Sequence, residues 1–273
     1  MTVKISLRDV RQVFSVRGAG DRQPQEFVAL DGLDLEVNDG ELVTLVGPSG
    51  CGKSTVLDLI SGLSTPAAGA VEVNGELVTG PGLDRGVVFQ QYTLLPWRTA
   101  LGNVEFALEA AGGSSRVQRR RTAEEYLRLV GLTEFADRYP HELSGGMKQR
   151  VAIARSLSYQ PDVLLMDEPF GALDAQTRER LQEELLQIWR RTGTTIVFIT
   201  HDIEEAVFLG QRVAVMSARP GRIEATLQIV LDRASADDDV RSTSQFARYR
   251  HQIWELLRQP VAAATLEEVD RVA

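Results

Sequence analysis

The strongest chemical signal in the chain is an eight-residue run, Gly47-Pro48-Ser49-Gly50-Cys51-Gly52-Lys53-Ser54. A run of this spacing that ends in Gly-Lys-Ser can cradle phosphates. Its glycines let successive backbone N–H groups turn inward onto phosphate oxygens. A helix starting here would add the equivalent of about half a positive charge at its N-terminus. Lys53 supplies a full charge, and the Ser54 hydroxyl can ligate Mg²⁺. The flanks agree. Leu42 to Val46 is an apolar run that reads as a strand, and Ser54 to Leu63 reads as a helix stopped at Gly62. Cys51 is taken as a small loop side chain rather than a redox thiol.

Two further segments carry groups that could act on the same ligand. Val163-Leu164-Leu165-Met166 is an apolar strand ending in Asp167, which would stand at the carboxyl end of a sheet, near the phosphates. Asp167 can hold Mg²⁺ directly or through water. The next residue, Glu168, could polarise the water that attacks a γ-phosphate. In Leu143-Ser144-Gly145-Gly146-Met147-Lys148-Gln149-Arg150, Ser144 caps a helix whose apolar face is Met147, Val151, Ala154 and Leu157. Gly145 and Gly146 expose backbone N–H groups, which makes a second anion-binding helix end. In isolation, the first segment is also a polar strand end and the second an ordinary capped helix.

The elements that must position these groups follow from periodicity. Val3, Ile5 and Leu7 alternate with polar residues, as do Leu33, Leu35 and Val37, and Val71 and Val73; these predict strands with one buried face. Residues 17–26 read as a loop between the first two strands. Leu42–Val46, Val87–Phe89, Val163–Met166, Ile196–Ile199 and Val213–Met216 are continuous apolar runs, which suit a parallel sheet buried on both faces. Leu181, Leu185, Ile188 and Trp189, and then Ile203, Ala206 and Val207, recur at helical spacing between strands. This alternation predicts an α/β fold with right-handed crossovers. From about Thr93 to Leu157 the pattern is mostly helical, broken at Gly112-Gly113-Ser114-Ser115, and reads as a helical subdomain inserted into the α/β core. A C-terminal helical extension spans 231–273. It holds an acidic run, Asp237 to Asp239, then an amphipathic helix with Phe246, Tyr249, Ile253 and Leu257 on one face.

Composition narrows the function classes. The chain has 273 residues, room for one to two domains at about 150 each. Hydrophobic residues make up 43%, and Gly and Pro together number 33, so a disordered or collagen-like chain is excluded. The net charge of −8 disfavours nucleic acid as a main partner. A single cysteine forbids an internal disulfide. Lys4, Arg8 and Asp9 interrupt the first apolar stretch, which leaves no signal-peptide core. No run of 18 uncharged apolar residues occurs, so any membrane role must come through a partner.

Together these motifs resemble the ATP-binding cassette of ABC transporters, over about residues 1–230. The phosphate loop, with Thr55 after it, looks like the family's Walker A, and Asp167-Glu168 like its Walker B. Leu143 to Gln149 looks like the signature motif. Gln90 matches the Q-loop glutamine, which in the family contacts Mg²⁺ and the attacking water. Ala172-Leu173-Asp174 matches the D-loop, and His201 the switch histidine on the γ-phosphate. Phe14 falls where the family places an aromatic stacked on adenine; Phe27 is nearby. The resemblance implies ATP and Mg²⁺ as cofactors, with Ser54, Gln90 and Asp167 at the metal. It also implies a homodimer in which ATP is sandwiched between Lys53 of one copy and Ser144 of the other. Such a cassette would be an ATPase coupled to transport, working with two membrane-spanning permease subunits and a separate solute-binding protein. Its place would be peripheral, on the cytoplasmic face of the inner membrane.

Leu94-Leu95-Pro96-Trp97, Asp84 to Gln90 and Arg219-Pro220-Gly221-Arg222-Ile223 look like the importer subgroup for taurine, aliphatic sulfonates and nitrate, with taurine favoured. Tyr92 to Arg98 reads both as packing within the helical region and as a groove for a permease helix. The four arginines of Arg116–Arg121 read as a solvated helix face. The rival readings are a soluble ABC-type ATPase of DNA repair or translation, a small-molecule P-loop kinase and a non-catalytic binding module. The first usually carries coiled-coil insertions or two cassettes. The second has no use for Ser144-Gly145-Gly146, and the third would be expected to lack Lys53, Glu168 or His201.

Overall fold

The computed structural model describes residues 2–16, 25–231 and 240–258. Alternation in the first segment produces two long antiparallel strands, β1 (Val3–Val16) and β2 (Gln25–Asn38), in a register that sets Leu7 against Leu35 and Phe14 against Phe27. Gln25 and Glu26, expected in the loop, belong to β2 because they pair with Val16 and Ser15; the rest of that loop lies outside the described residues. A sheet of order β2-β1-β4-β5 is completed by β4 (Ala68–Val73) and β5 (Glu76–Leu77).

The second sheet contains β3 (Leu42–Val46), β6 (Arg85–Val88), β7 (Val163–Asp167), β8 (Thr195–Thr200), β9 (Arg212–Met216) and β10 (Ile223–Gln228). Its order is β10-β9-β3-β8-β7-β6, with every pair parallel except β9–β10. The continuous apolar runs conceal a period of two. Leu42, Val46, Leu164, Met166, Ile196 and Phe198 face one core, while Val43, Leu45, Val163, Leu165, Val197 and Ile199 face another. A strand apolar on both sides has a core to fill on each face. The second core also takes in α1 (Lys53–Ser61) and the inner face of the antiparallel sheet.

The first core is covered by α2 (Ala100–Ala111), α3 (Arg116–Leu129), α4 (Gly145–Leu157), α5 (Ala175–Thr192), α6 (Ile203–Leu209) and α7 (Ser244–Arg258). The break at 112–115 falls between α2 and α3, where Ser115 and Gln118 form a capping box. Arg116, Arg120 and Arg121 of α3 are exposed, as a solvated face requires, and Arg120 pairs with Glu124 at 3.1 Å. Phe246 and Ile253 of α7 are buried in the first core and Tyr249 and Leu257 pack against it, so this helix is part of the chain's own interior. The acidic run 237–239 lies outside the described residues.

Other boundaries also differ from the sequence reading. The strand expected at Val87–Phe89 runs from Arg85 to Val88, because its pairing with β7 covers only those residues; Phe89 is exposed. The helix after the phosphate loop begins at Lys53, and Gly62 closes it in the left-handed conformation (φ 79°). The helical stretch begins at Ala100, and residues 93–99 are irregular. Asn103, fully buried, moulds that irregular loop. Its Oδ1 accepts from Leu95 N–H at 2.7 Å, and its Nδ2 donates to the carbonyls of Leu95, Arg98 and Thr99.

The two sheets meet near the phosphate loop. Leu30 of β2 forms a bridge with Gly221, whose N–H donates to Ala29 O at 2.9 Å. A Cβ at Gly221 would run into the carbonyl oxygen of Cys51, so only glycine lets the chain pass there.

Phe198 lies at the middle of β8, fully buried, with its ring centroid 5.6 Å from that of Phe170. Truncation to alanine leaves a cavity under the sheet. Phe198→Ala is expected to lower unfolding free energy by about 3–5 kcal/mol, measured as a displaced urea midpoint at unchanged slope.

Candidate active site

The phosphate loop leaves the carboxyl end of β3, a strand hydrogen-bonded to β8 on one side and β9 on the other. Gly50 (φ 72°) and Gly52 (φ 101°) take left-handed conformations that turn the chain back onto α1. Lys53 is buried, and its Nζ donates to Gly47 O at 2.8 Å and Pro48 O at 3.1 Å. The ammonium is thus held inside the loop by its own main chain. Cys51 is 1% exposed, and burial pushes its thiol pKa up, with Lys53 acting in the opposite direction. The sequence reading of an inert side chain agrees with this environment.

Ser54 Oγ donates to Asp167 Oδ1 at 3.3 Å, which joins the two motifs across strands β3 and β7. Burial raises the Asp167 pKa, the Ser54 hydrogen bond opposes that, and the Glu168 and Asp58 carboxylates add to it. A bound cation would relieve this cost. Ser54 and Asp167 supply hard oxygens, and among the described residues no group of three or more His, Cys, Asp or Glu forms a metal cage. That donor set fits Mg²⁺, which keeps waters and substrate oxygens in its shell.

Glu168 carries a positive φ of 41°, uncommon for a residue with a side chain. Its N–H donates to Ile199 O at 3.0 Å and its carbonyl accepts from Gly171 N–H at 3.1 Å, so the kink is held from both sides. Its Oε2 accepts from His201 Nδ1 at 3.0 Å. His201 is exposed, with Nε2 left for another partner. Gln90 is exposed just beyond β6, and its Nε2 lies 3.4 Å from where a Cβ on Gly171 would stand.

A cleft of about 340 Å³ is lined by Ser49, Gly50, Gly52, Lys53, Ser54, Thr55 and Glu168, together with Phe14, Phe27 and Arg219. Phe14 is 38% exposed, so its ring is open to the cleft. Arg219 is the residue whose role the sequence reading missed, having noted it only as a mark of lineage. Its Nε donates to Gly50 O at 2.8 Å, and its guanidinium lies 5.0 Å from the centre of the Phe27 ring. No local pattern signals this, because the contact depends on the return from β9 to β10.

Ser144, Gly145, Gly146 and Asp174 do not line that cleft. Ser144 caps α4, its Oγ accepting from Met147 N–H at 3.3 Å. A Cβ at Gly146 would stand 2.8 Å from Thr177 Cγ2, so the start of α4 lies tightly against α5. Asp174 caps α5; its Oδ1 accepts from Thr177 N–H at 3.0 Å, which holds its pKa below the ordinary value.

This arrangement can be set beside known proteins. The family model for ABC transporter matches residues 30–171, just over half of the chain. The chain belongs to the ABC transporter ATP-binding family. It is 53% identical over 260 residues to the nitrate import ATP-binding protein NrtD of Synechocystis sp., covering 93% of this chain and 95% of that one. It is 48% identical over 261 residues to an ABC transporter ATP-binding protein of Methanocaldococcus jannaschii, covering 96% and 94%. Among solved structures, the ATP-binding cassette MJ0796, dimeric in a post-hydrolysis state with ADP and Pi, is 35% identical at a TM-score of 0.70, covering 83% of this chain and 99% of that one. The fold is therefore that of an ABC ATPase cassette, with antiparallel and mainly parallel sheets and flanking helices. Among the described residues, no helix of this ATP-binding subunit is long and apolar enough to cross a membrane.

Only the thiolate reacts rapidly with disulfide reagents. A buried thiol with a raised pKa should therefore react roughly 100-fold more slowly than free cysteine at pH 8. Cys51 is expected to do so in the folded chain and to recover full reactivity in denaturant, measured with Ellman's reagent.

Proposed function

We propose that this subunit hydrolyses ATP at two shared sites in a homodimer and so energises import of a small anionic solute through a partner permease. The observation that carries the reading is the separation of two anion-binding surfaces. Phosphate loop, Ser54 and Glu168 gather in one cleft, while the capped N-terminus of α4 at Ser144 stands outside it. A twofold pairing lets each copy complete the other's site. The dimeric neighbour with ADP and Pi supports the arrangement.

In this reading Gly47 to Thr55 hold the phosphates, Phe14 meets the adenine, and Ser144, Gly145, Gly146 and Asp174 come from the other copy. Lys53, now bonded to two loop carbonyls, exchanges them for phosphate oxygens. Bound Mg²⁺, held by Ser54, Asp167 and Gln90, would neutralise phosphate charge. Glu168 accepts a proton from the attacking water, and His201, fixed through Nδ1, presents Nε2 toward the γ-phosphate. Closure excludes water, and loss of the γ-phosphate lets the copies part.

The permease contact is assigned to an apolar groove of about 300 Å³ lined by Leu63, Pro81, Phe89, Phe106 and Tyr159. The guanidinium of Arg98 lies 5.1 Å from the centre of the Phe106 ring, and the preceding residue, Trp97, is 71% exposed, an unusual position for so large an apolar ring. The cassette is taken as about residues 1–230, with helices of 93–157 forming the groove's outer wall and 231–273 as an extension. In this reading the subunit works at the cytoplasmic membrane face, bound to two permease subunits, in a complex to which a separate solute-binding protein delivers the solute. The subgroup resemblance favoured taurine. The relative named for nitrate import moves nitrate ahead of taurine and sulfonates.

Three experiments test the proposal. Glu168→Gln should bind ATP, remain a closed dimer on size exclusion and lose at least about 100-fold in turnover; retained hydrolysis would remove Glu168 from its role. Mixing Lys53→Ala with Ser144→Arg chains should restore part of the activity, since heterodimers keep one intact composite site; no recovery counts against sharing. Co-purified complex in vesicles should take up nitrate with ATP and raise its turnover, and equal turnover with and without permease would argue against coupling.

A further inference from the structure

One buried carboxyl has no place in the chemistry assigned so far. Glu205 of α6 is 5% exposed. Its Oε2 accepts from Thr200 Oγ1, and its Oε1 accepts from Gln182 Nε2 at 3.0 Å. Gln182 of α5 is also buried, and its Oε1 accepts from Arg241 Nη2 at 2.7 Å. Arg241 belongs to the 3-10 turn Val240–Ser242 that leads into α7, and its guanidinium lies 3.7 Å from the centre of the Phe208 ring. A run of side-chain hydrogen bonds therefore starts at the C-terminal segment and crosses two helices.

The other end of the run reaches the site. Thr200 is the last residue of β8, and His201 follows it. The hydroxyl that donates to Glu205 also accepts from Asp202 N–H at 3.0 Å. The residues on both sides of His201 are thus fastened to one oxygen, and that oxygen is fastened to Glu205. A second tie runs along the surface, where Arg250 of α7 meets Glu204 of α6 at 2.8 Å. His201, Asp202 and Glu204 face Arg250, His251 and Trp254 across a cleft of about 690 Å³.

Burying a carboxyl and an amide costs free energy that apolar side chains would not. What the polar set supplies is direction, because each hydrogen bond fixes its partner's angle as well as its distance. A histidine that must meet a phosphate within a few tenths of an ångström needs such support.

We infer that the relay Arg241–Gln182–Glu205–Thr200 makes the C-terminal segment a positioning element for His201, so that the rate of ATP hydrolysis depends on this segment being seated. The inference rests on the reading of His201 as a residue of hydrolysis.

The test uses the full chain, with Arg241→Ala, Arg241→Lys, Thr200→Val and His201→Ala. Saturating ATP turnover, KM for ATP, the thermal midpoint and the NMR resonance of the His201 imidazole are measured; His201→Ala assigns that resonance. Arg241→Ala and Thr200→Val are expected to lower kcat roughly tenfold, within the range of coupling through packed networks, leave KM within about twofold and shift the His201 resonance. Arg241→Lys, which keeps a donor for Gln182, should recover part of the rate. Thr200→Val is close to isosteric and carries the test if Arg241→Ala does not fold. Wild-type kcat in both variants beside an inactive His201→Ala overturns the relay alone. A fall in kcat without a His201 shift marks a merely structural role and overturns it too. Wild-type turnover in His201→Ala overturns the underlying reading instead, and the claim about rate with it.

Discussion

The central position of β3 is the constraint on which the site depends. The strand is paired on both edges and packed on both faces, so its carboxyl end is fixed in space. The loop that follows inherits this fixity at Gly47 and spends its conformational freedom on the turns at Gly50 and Gly52. Parallel pairing then brings the ends of β7 and β8 to the same edge. Asp167, Glu168 and His201, separated in sequence from Lys53 by more than a hundred residues, meet there for that reason. Outer loops of a parallel sheet collect ligands in this way because their backbone groups are not consumed by the ladder.

Charge management follows from the same edge. Asp167 is buried enough to be pushed toward its neutral form, yet it lies beside a serine hydroxyl and near a lysine. Lys53 satisfies itself on backbone carbonyls, which are weaker partners than phosphate. Glu168 leans on His201. Each charged group is held by a contact that a stronger one can replace.

Much of this was legible in the sequence. Motif spacing placed the phosphate loop, Asp167 and Glu168, and the apolar runs gave the parallel strands, because both signals are local. The continuous runs hid which residues faced which core, since alternation vanishes when both faces are apolar. Phe89 was misassigned because its apolar character resembles that of a strand, while the limit is set by how far β7 extends beside it. Arg219 was missed for a different reason: its contacts with Gly50 and Phe27 depend on the path of a strand connection over 160 residues away. The relay through Glu205 was equally hidden, because buried polar partners on separate helices leave no periodic trace.

Asn103 has a further consequence. It grips the 95–99 loop only through main-chain atoms, and the side chains of that loop take no part in the grip. The hold of Asn103 on the loop therefore does not call on the side chain of Trp97. Trp97, exposed and outside that grip, is therefore a place where a substitution recasts the outer contour of the loop while the anchored backbone keeps its course.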